Sequence, residues 1–567
     1  MELTRRAAIR RAALASGALL GGSLLAPRVV FAGGNGEAVF EMRIARSRAA
    51  RLASRMWRSG PIETARPFDL LGVRVAGADA EVEVRARGLD GRWTEWLPAH
   101  AADGHGPDAG GSGERTAGAG ESSLTDPVWT GPARAFELRA RRPLHDARVV
   151  LVDAGRPATA AAARRYVNTN LPAGAGQPRI IARSSWATAS CRPRVPAVFG
   201  AIDLAFVHHT VSSNSYAPSQ SAGMVRSICL FHKYGNGWND IGYNFVVDRY
   251  GQIFEARAGG VDEAIVGAQA GGYNVYSTGV ALLGTFSGAG PPRKTFDTLA
   301  RLLAWKLALH GVEVPGKVTV QVTRTGAPYS RYRAGARVRL NRISGHRDAD
   351  TTTCPGAGMY RQLPRLRQSV RRLIGTVGSL TLQNLGNAPG TAAVGGLLSA
   401  GGIPIAGASV EIQRRSTTRG PSTLGTATTD ESGGWSAAVP LAQNAELRAV
   451  YRGDTQHPAV VSAGVVALVP PQIALTAATQ QASPGAVVDF TGSVVPAKSK
   501  LSIVISQQQL DGTFAPIRTI RLKPDKTGAF ARSIGFANAG QYHVVAQTDA
   551  DDVNAAGASA PVPITIA

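Results

Sequence analysis

Three segments near the middle of the chain combine residue types that bind metals and activate water. They have the sequences VHHT (residues 207–210), WNDIGY (238–243) and GHRD through CPG (345–356). Imidazole nitrogen and cysteine thiolate suit zinc, and three protein ligands leave the fourth tetrahedral position open for water. Because an open position separates a hydrolytic metal site from a structural one, the pattern indicates metal-assisted hydrolysis.

The fold must bring these segments together, and the sequence indicates how. His208 follows the apolar run 202–207, which predicts a buried strand. Sheets in α/β folds place their sites beyond the carboxyl ends of strands, so a ligand fits this position. His346 and Cys354 are eight residues apart, a spacing that suits a loop folding back on itself. A single histidine is usually an ordinary core or surface residue, so these residue types suggest a metal site without establishing it.

A family resemblance covers about a third of the chain, residues 179–375. Four ordered blocks carry it: AFVHHT, GWNDIGYNFVVDRYGQIFEAR, GGYNVYSTGVALLG and ISGHRDADTTTCPG. This region resembles the zinc amidases of the peptidoglycan recognition protein and phage lysozyme-type amidase family. That family cleaves the amide between the lactyl group of N-acetylmuramic acid and L-alanine of the stem peptide. The resemblance implies an N-acetylmuramoyl-L-alanine amidase that uses Zn²⁺ and acts on peptidoglycan.

The resemblance also implies roles for individual residues. His208, His346 and Cys354 match the zinc ligands, and Tyr243 matches the tyrosine that contacts the water at the metal. Thr352 matches the position that is Lys or Thr in active members, and its hydroxyl could donate a hydrogen bond to the tetrahedral oxygen. Tyr243 could instead be a half-buried strand aromatic. Members that only bind peptidoglycan usually lack the cysteine, so Cys354 favours catalysis over the alternative, a non-catalytic peptidoglycan-binding module.

Four further residues are candidates for substrate contacts. In the family, a Gly-Trp pair at Gly237-Trp238 accompanies a preference for stem peptides with meso-diaminopimelate. Arg257 could supply a charge-assisted hydrogen bond to the extra carboxylate. Asn274 matches a residue that lines the substrate groove. The alternative for Trp238 is packing at the sheet edge, since a tryptophan buries a large area.

Two departures from the family pattern concern proton transfer. Gln269 stands where the family often has a histidine. The strand predicted at residues 279–283 lacks the glutamate that a cytoplasmic branch uses as a base. We therefore expect Tyr243 to share the role of base with the water itself.

The N-terminus predicts export. Two arginine pairs, Arg5-Arg6 and Arg10-Arg11, precede a mildly apolar stretch at residues 12–26 and a small-residue cleavage site at 30–32. This pattern predicts a twin-arginine signal peptide over residues 1–32 and a secreted or cell-wall location. The apolar stretch is too short to span a bilayer stably, so no stable membrane anchor is expected.

Net charge indicates the class of binding partner, and the cysteines allow one disulfide. The net charge of +23 suits a polyanion. The sequence contains no nucleic-acid recognition motif, so anionic cell-wall polymers are the better candidates. Cys191 and Cys229 could form a disulfide in an exported protein, or Cys229 could be a small buried apolar group.

The length of 567 residues predicts about four domains. Residues 37–155 predict a β-sandwich, in which Trp93, Trp96 and Trp129 either pack the core or stack on sugars. The Gly/Ala-rich stretch 101–123 predicts a disordered loop. A linker is expected at residues 156–177.

The predicted amidase domain covers residues 178–376, as a mixed β-sheet flanked by helices. Helices are expected at residues 221–234 and 295–310. Two related β-rich segments follow, and we expect immunoglobulin-like sandwiches at residues 377–468 and 469–567. They could be spacers or wall-binding modules.

Overall fold

The computed structural model describes residues 27–44, 56–75, 81–99, 105–108, 123–144, 146–155, 177–326, 328–374, 378–415 and 421–567. The predicted twin-arginine motif and nearly all of the predicted linker 156–177 lie outside these ranges. Within them, no helix combines the length and the apolar character that a membrane span requires.

The N-terminal domain is all-β, as predicted, and its described strands form one nine-stranded sheet with the order β1-β2-β9-β4-β8-β5-β6. β3 pairs with β8, and β7 pairs with β4. Its alternating strands bury one apolar face in the domain's own core. The strands are β1 (Arg28–Ala32), β2 (Ala38–Arg43), β3 (Trp57–Arg58), β4 (Ile62–Val75), β5 (Val82–Gly88), β6 (Leu97–Ala99), β7 (Ser123–Leu124), β8 (Val128–Ala140) and β9 (Arg148–Asp153).

The first strand begins earlier than the predicted domain. β1 includes the predicted cleavage site at residues 30–32 and pairs antiparallel with β2. Phe31 stacks on Tyr234 of the central domain, with ring centroids 3.8 Å apart. The sheet therefore starts at Arg28, within the segment predicted as signal peptide.

The three tryptophans of this domain have different surroundings. Trp129 is buried in a core shared with the central domain. Trp93 and Trp96 are half-buried and lie under arginines: the Arg85 guanidinium is 4.7 Å and 4.8 Å from their ring centroids. Packing thus explains Trp129, and cation–π contacts cover the other two.

The central domain contains a five-stranded mixed sheet with the order β12-β11-β13-β10-β16. β10 pairs in parallel with both β13 and β16, and β12 is an antiparallel edge strand. A separate two-stranded sheet pairs β14 with β15. The strands are β10 (Leu204–His209), β11 (Phe245–Val247), β12 (Ile253–Glu255), β13 (Ser277–Leu282), β14 (Lys317–Gln321), β15 (Arg337–Asn341) and β16 (Ile343–Gly345).

The helices of this domain bury their apolar faces against the sheet. The two predicted helices are confirmed, although the first ends in a π-helical turn at Phe231–Gly235. The second begins after Pro292 and ends before His310. The helices are α1 (Ser221–Leu230), α2 (Arg293–Leu309), α3 (Ala357–Tyr360) and α4 (Leu363–Ile374).

A disulfide joins Cys191 to Cys229, which decides between the two alternatives. It ties the loop before β10 to α1, in a core that both domains share. This core includes Val150 and Val152 of β9 together with Ile228 of α1. The N-terminal domain is therefore packed on the central domain through continuous apolar contact.

The prediction of a disordered loop over residues 101–123 is wrong for residues 105–108. These four residues are placed between the two domains, and His105 is only 6% exposed. Their side-chain and backbone hydrogen bonds, described below, account for the order.

The C-terminal region contains two all-β units, each built from two sheets around its own core. This is the arrangement of β-sandwiches. The first contains β17 (Gly378–Leu380), β18 (Gln383–Ala388), β19 (Thr391–Ala400), β20 (Ile403–Pro404), β21 (Ser409–Arg414), β22 (Ser422–Thr428), β23 (Gly434–Pro440), β24 (Ala445–Tyr451), β25 (Val460–Val461) and β26 (Val465–Ala467). The second contains β27 (Gln472–Ala477), β28 (Gln481–Ala482), β29 (Val487–Val495), β30 (Leu501–Gln508), β31 (Phe514–Leu522), β32 (Ala529–Gly535), β33 (Gly540–Thr548), β34 (Gly557–Ala558) and β35 (Val562–Ile566).

A buried ion-pair network attaches the first sandwich to the central domain. Arg448 of β24 is fully buried and lies 3.0 Å from both Asp262 and Glu263. Gln413 accepts a further hydrogen bond from Arg448 at 2.8 Å. A buried cation requires such partners, so this pairing fixes the contact between the two domains.

Candidate metal centre

Strand register brings the two predicted histidine ligands together. Val207 of β10 pairs with Gly345 of β16 in a parallel ladder, so His208 and His346 follow at the same end of adjacent strands. Both side chains are fully buried. Their ring centroids lie 4.6 Å apart.

The loop after β16 delivers Cys354 to the same point. A 3₁₀ turn at His346–Asp348 reverses the chain, and the Arg347 N–H donates to the Cys354 carbonyl at 2.9 Å. The Cys354 Sγ lies 3.7 Å from the His208 Nδ1 and accepts a hydrogen bond from the His209 N–H at 3.4 Å. The predicted fold-back loop is confirmed.

A fourth side chain, which the sequence did not indicate, completes the group. The His105 Nε2 lies 3.3 Å from the His208 Nδ1, and its ring stacks on His346 at 4.4 Å. One potential ligand atom from each of His105, His208, His346 and Cys354 lies within 4.8 Å of all the others. His105 belongs to the N-terminal domain, so two domains contribute to one cluster.

Each imidazole has its second nitrogen held by a neighbouring polar group. The His105 Nδ1 contacts Asp126 at 2.8 Å, and the His346 Nε2 contacts Asp350 at 2.8 Å. The His208 Nε2 contacts the Gln269 Oε1 at 2.6 Å. Protein metal ligands show the same pattern, in which an outer carboxylate or carbonyl fixes the tautomer.

The Gln269 amide has a determined orientation. Its Nε2 donates to the Ser277 Oγ at 2.9 Å, while the Ser277 hydroxyl donates to the Tyr273 carbonyl at 2.9 Å. The amide oxygen must therefore face His208 and accept its proton. Gly279 of β13 makes room, because a Cβ there would lie 2.3 Å from the Gln269 Cγ.

These contacts fix which nitrogen atoms face the centre of the cluster. His208 presents an Nδ1 lone pair, because its proton lies on Nε2, which donates to the Gln269 Oε1. The Asp126 contact likewise directs the His105 Nε2 inward. Two lone pairs that face each other at 3.3 Å repel unless a proton or a cation lies between them.

The distances and the donor set fit zinc. Ligand atoms at about 2.0–2.3 Å from a tetrahedral zinc lie about 3.3–3.8 Å from each other. The measured separations from the His208 Nδ1 are 3.3 Å to His105 and 3.7 Å to Cys354. These two separations fit a tetrahedral zinc site, and all four candidate ligand atoms lie within 4.8 Å of one another.

Burial favours the uncharged forms of three ionisable groups at the cluster. Burial lowers the pKa of His208 well below its ordinary value, and the nearby His105 lowers it further. Burial raises the pKa of the Cys354 thiol well above its ordinary value, although the His209 N–H opposes this. Burial likewise raises the pKa of Asp350 well above its ordinary value. A bound divalent ion would offset these desolvation costs and would favour the thiolate form of Cys354.

Residues 199–357 match the family profile described as "N-acetylmuramoyl-L-alanine amidase" (Amidase_2). The central domain is an Amidase_2 domain. A second profile, described as "Rv3811 N-terminal galactose-binding domain-like", matches residues 49–169. The first match contains His208, His346 and Cys354, and the second contains His105.

Curated relatives of the Amidase_2 domain have names of two kinds. Peptidoglycan-recognition protein LB of Drosophila melanogaster is 26% identical over 195 residues, which cover 34% of this chain and 71% of that protein. The N-acetylmuramoyl-L-alanine amidase of Homo sapiens is 28% identical over 192 residues, covering 33% of this chain and 28% of that protein. The relatives of this domain therefore include proteins named for peptidoglycan recognition and a protein named as an amidase.

Solved structures give a similar pair of names. Drosophila PGRP-LB is 24% identical, covers 33% of this chain and 92% of its own, and gives a TM-score of 0.26. The endolysin amidase LysCS from Clostridium intestinale is 20% identical, covers 34% of this chain and 95% of its own, and gives a TM-score of 0.24.

The two candidate catalytic residues of the Amidase_2 domain lie beside the cluster. The Tyr243 ring is buried, with its centroid 5.4 Å from that of His208. Burial raises the pKa of Tyr243 well above its ordinary value, and Asp126 and Cys354 raise it further. The half-buried Thr352 accepts a hydrogen bond from the Cys354 N–H at 3.2 Å through its hydroxyl oxygen.

Three of the candidate substrate residues are linked to the segment that carries Tyr243. Trp238 is 5% exposed and packs on His232 at 4.5 Å, and the His232 ring is 5.7 Å from Tyr243. Gly237 has a φ of +80°, which favours glycine. The Arg257 guanidinium donates to the Ile241 carbonyl at 3.1 Å.

Asn274 makes contacts that the sequence did not predict. Its Oδ1 accepts hydrogen bonds from the N–H groups of Gln269 and Ala270 at 2.8 Å and 3.1 Å. Its Nδ2 donates to the Gly106 carbonyl at 2.9 Å. Asn274 thus links the Gln269 loop to the segment that carries His105.

A cleft of about 490 Å³ lies elsewhere, between the N-terminal domain and the Amidase_2 domain. Trp129, Arg226 and Phe254 are among the residues that line it. None of the four cluster residues lines this cleft. The candidate metal centre therefore lies outside this cleft.

We expect one zinc ion per chain and a measurable role for Gln269. Gln269→Leu removes the acceptor that fixes the His208 tautomer, so zinc affinity should fall about 10- to 100-fold. Competition with a chelating dye measures this change, and Gln321→Leu on exposed β14 is the matched control. Equal affinities of the two variants would show that Gln269 does not orient His208.

Proposed function

We propose that the chain is a zinc-dependent N-acetylmuramoyl-L-alanine amidase. Its substrate would be peptidoglycan, cut between the lactyl group of N-acetylmuramic acid and L-alanine of the stem peptide. The observation that carries the proposal is the convergence of His208, His346 and Cys354 beside Tyr243 in an Amidase_2 domain.

The residues present fit zinc, and we assign it to His208, His346 and Cys354. When bound, zinc supplies Lewis acidity that polarises a carbonyl and makes water more acidic. Cys354 contributes a thiolate, which leaves one net positive charge to stabilise a developing oxyanion.

Tyr243 and Thr352 act through their hydroxyl groups. Because burial raises the pKa of Tyr243, its phenol stays protonated and orients the attacking water by hydrogen bonding. This refines the expectation that Tyr243 shares the role of base. Thr352 already accepts from the Cys354 N–H, which positions its own O–H to donate to the tetrahedral oxygen.

The alternative is a peptidoglycan-recognition module without hydrolysis. The relatives carry both kinds of name, and the burial of the cluster is compatible with a site that only binds. The retained thiol of Cys354 supports hydrolysis, because a recognition surface has no use for a buried metal-ligating sulfur.

Mass analysis of digested peptidoglycan tests the proposal. The assay uses wild type and His105→Ala, since His105 lies in the cluster. We expect glycan without peptide and free stem peptides that begin with L-alanine. Cys354→Ala should abolish release of peptide and weaken zinc binding, because only the imidazoles of His105, His208 and His346 remain. Tyr243→Phe should keep its zinc and lower kcat about 10- to 1000-fold, with Tyr332→Phe as the matched control.

Two outcomes would contradict this function. Cleavage at another bond would exclude the amidase assignment. Full activity of Cys354→Ala would exclude the metal mechanism, and an unchanged kcat in Tyr243→Phe would leave Tyr243 with a packing role alone.

The substrate is proposed to carry meso-diaminopimelate. Gly237 supports this preference, because glycine permits a close approach of the backbone to the substrate. Trp238 packs on His232, whose ring lies next to Tyr243, and would line the side-chain slot. Arg257 is the candidate partner for the additional carboxylate. We expect a higher kcat/KM for diaminopimelate muropeptides than for matched lysine muropeptides. Equal values would reject the preference and leave the amidase function intact.

Export by the twin-arginine route and a secreted or cell-wall location are also proposed. The support is the arginine pairs at residues 5–6 and 10–11 and the net charge of +23, which suits anionic wall polymers. Replacing all four arginines with lysine should retain the precursor in the cytoplasm, as fractionation and immunoblotting would show. Unchanged secretion would indicate the general secretory route.

The two C-terminal sandwiches are proposed to be immunoglobulin-like. The support is their two-sheet architecture and the related D-x-x-G-x-aromatic hairpins that begin at Asp430 and Asp525. They would act as spacers or wall-binding modules for the amidase.

A further inference from the structure

We propose that His105 is a fourth metal ligand and that the segment of residues 105–108 holds the amidase in a closed, latent state. The proposal rests on the function proposed above and adds its regulation. His105 comes from the N-terminal domain, outside the Amidase_2 match at residues 199–357.

The contacts of both ring nitrogens of His105 are those expected of a metal ligand. Its Nε2 is 3.3 Å from the His208 Nδ1, within the edge length expected of a tetrahedral zinc site. Its Nδ1 is held by Asp126 at 2.8 Å, which is the carboxylate–histidine pairing of metal ligands. Like His208 and His346, His105 therefore has a polar partner that holds its second ring nitrogen.

The residues that follow His105 form hydrogen bonds with the Amidase_2 domain. The Gly106 carbonyl accepts from the Asn274 Nδ2 at 2.9 Å. The Asp108 carboxylate accepts from the Gly272 N–H at 2.8 Å and from the Asn274 Nδ2 at 3.2 Å. The segment thus occupies the side-chain amide of Asn274, which is one of the candidate substrate residues.

Close packing at two glycines also shapes the contact between the segment and the Amidase_2 domain. A Cβ at Gly106 would lie 2.4 Å from the ring of Tyr329, so only glycine fits without displacement. Gly326 is constrained from both domains, because a Cβ there would lie 1.9 Å from the Gly272 N and 2.3 Å from the Asp108 Oδ1. Both sides of the contact are shaped for close approach.

A site with four protein ligands resembles a structural metal site, whereas hydrolysis requires an open position. The closed arrangement therefore excludes substrate from the metal and from Asn274. Withdrawal of residues 105–108 would open both at once. Substrate would then compete with an internal ligand, and the apparent activity would depend on the open fraction.

Cobalt replacement tests the ligand count directly. Zinc is exchanged for Co²⁺ in the full-length chain, and azide is added as a probe for an open coordination position. We expect the visible spectrum of wild type to be insensitive to azide. His105→Ala should give a saturable spectral change, because its fourth position is open.

A second variant separates the ligand from the segment. Gly106→Val keeps the imidazole but displaces the segment from Tyr329, so it should also gain azide sensitivity. His457→Ala, in the first C-terminal sandwich, is the matched histidine control and should behave as wild type. Closed proteins with a minor open state of roughly 0.1–10% gain about 10- to 1000-fold in activity when opened. We expect a rise of this size in kcat/KM for His105→Ala.

Two results would overturn the proposal. Azide sensitivity of wild type equal to that of His105→Ala would mean that the fourth position is already open. Lower hydrolysis by His105→Ala with an unchanged cobalt spectrum would make His105 a catalytic residue and not a closing ligand.

The test also separates this proposal from the proposed function. If His105→Ala gains azide sensitivity but releases no stem peptide, His105 is confirmed as a ligand and the amidase function fails. If wild type and His105→Ala release stem peptide at the same rate and respond equally to azide, the amidase function is supported and the latent state is rejected.

Discussion

The cost of burying several unpaired electron pairs side by side is the constraint on which the site depends. The His105 Nε2, the His208 Nδ1 and the Cys354 Sγ converge away from water, at separations of 3.3 Å and 3.7 Å. Desolvation opposes charge on each group, and none can satisfy all of the others by hydrogen bonding. A shared cation would stabilise this arrangement, because all of these lone pairs could coordinate it.

The surrounding structure supports that arrangement in layers. Parallel pairing of β10 with β16 sets His208 beside His346 before any loop is considered. The outer contacts with Gln269, Asp350 and Asp126 then fix the ring orientations. Because a misplaced ligand loses affinity steeply, these outer partners matter nearly as much as the ligands.

The N-terminal domain takes part in the site. It shares a hydrophobic core with the Amidase_2 domain and supplies both His105 and its partner Asp126. The apolar contact is continuous, so the segment of residues 105–108 is presented from a fixed platform. Regulation would then require movement of this segment alone, with the two domains remaining packed.

The sequence predicted those parts of the site that local patterns specify. His208 follows an apolar strand pattern and His346 precedes a fold-back loop, so their roles were accessible from residue order and family resemblance. Cys354 was recognised in the same way. The helices at residues 221–234 and 295–310 were predicted because their apolar spacing is strong, and only the π-helical turn was unexpected.

His105 could not be predicted, because its role depends on a contact across 103 residues of sequence. It lies in a Gly/Ala-rich stretch whose composition is typical of disorder, and no strand or helix pattern surrounds it. Gln269 was noticed only as a departure from the family pattern. Its function as the partner of His208 became apparent from the bonds to Ser277 and Tyr273.

X-ray absorption at the zinc edge of the full-length protein tests the central claim most directly. We expect one sulfur at about 2.3 Å and three imidazole nitrogens at about 2.0–2.1 Å from the zinc. A zinc shell without sulfur, or a protein that binds no stoichiometric zinc, would contradict it.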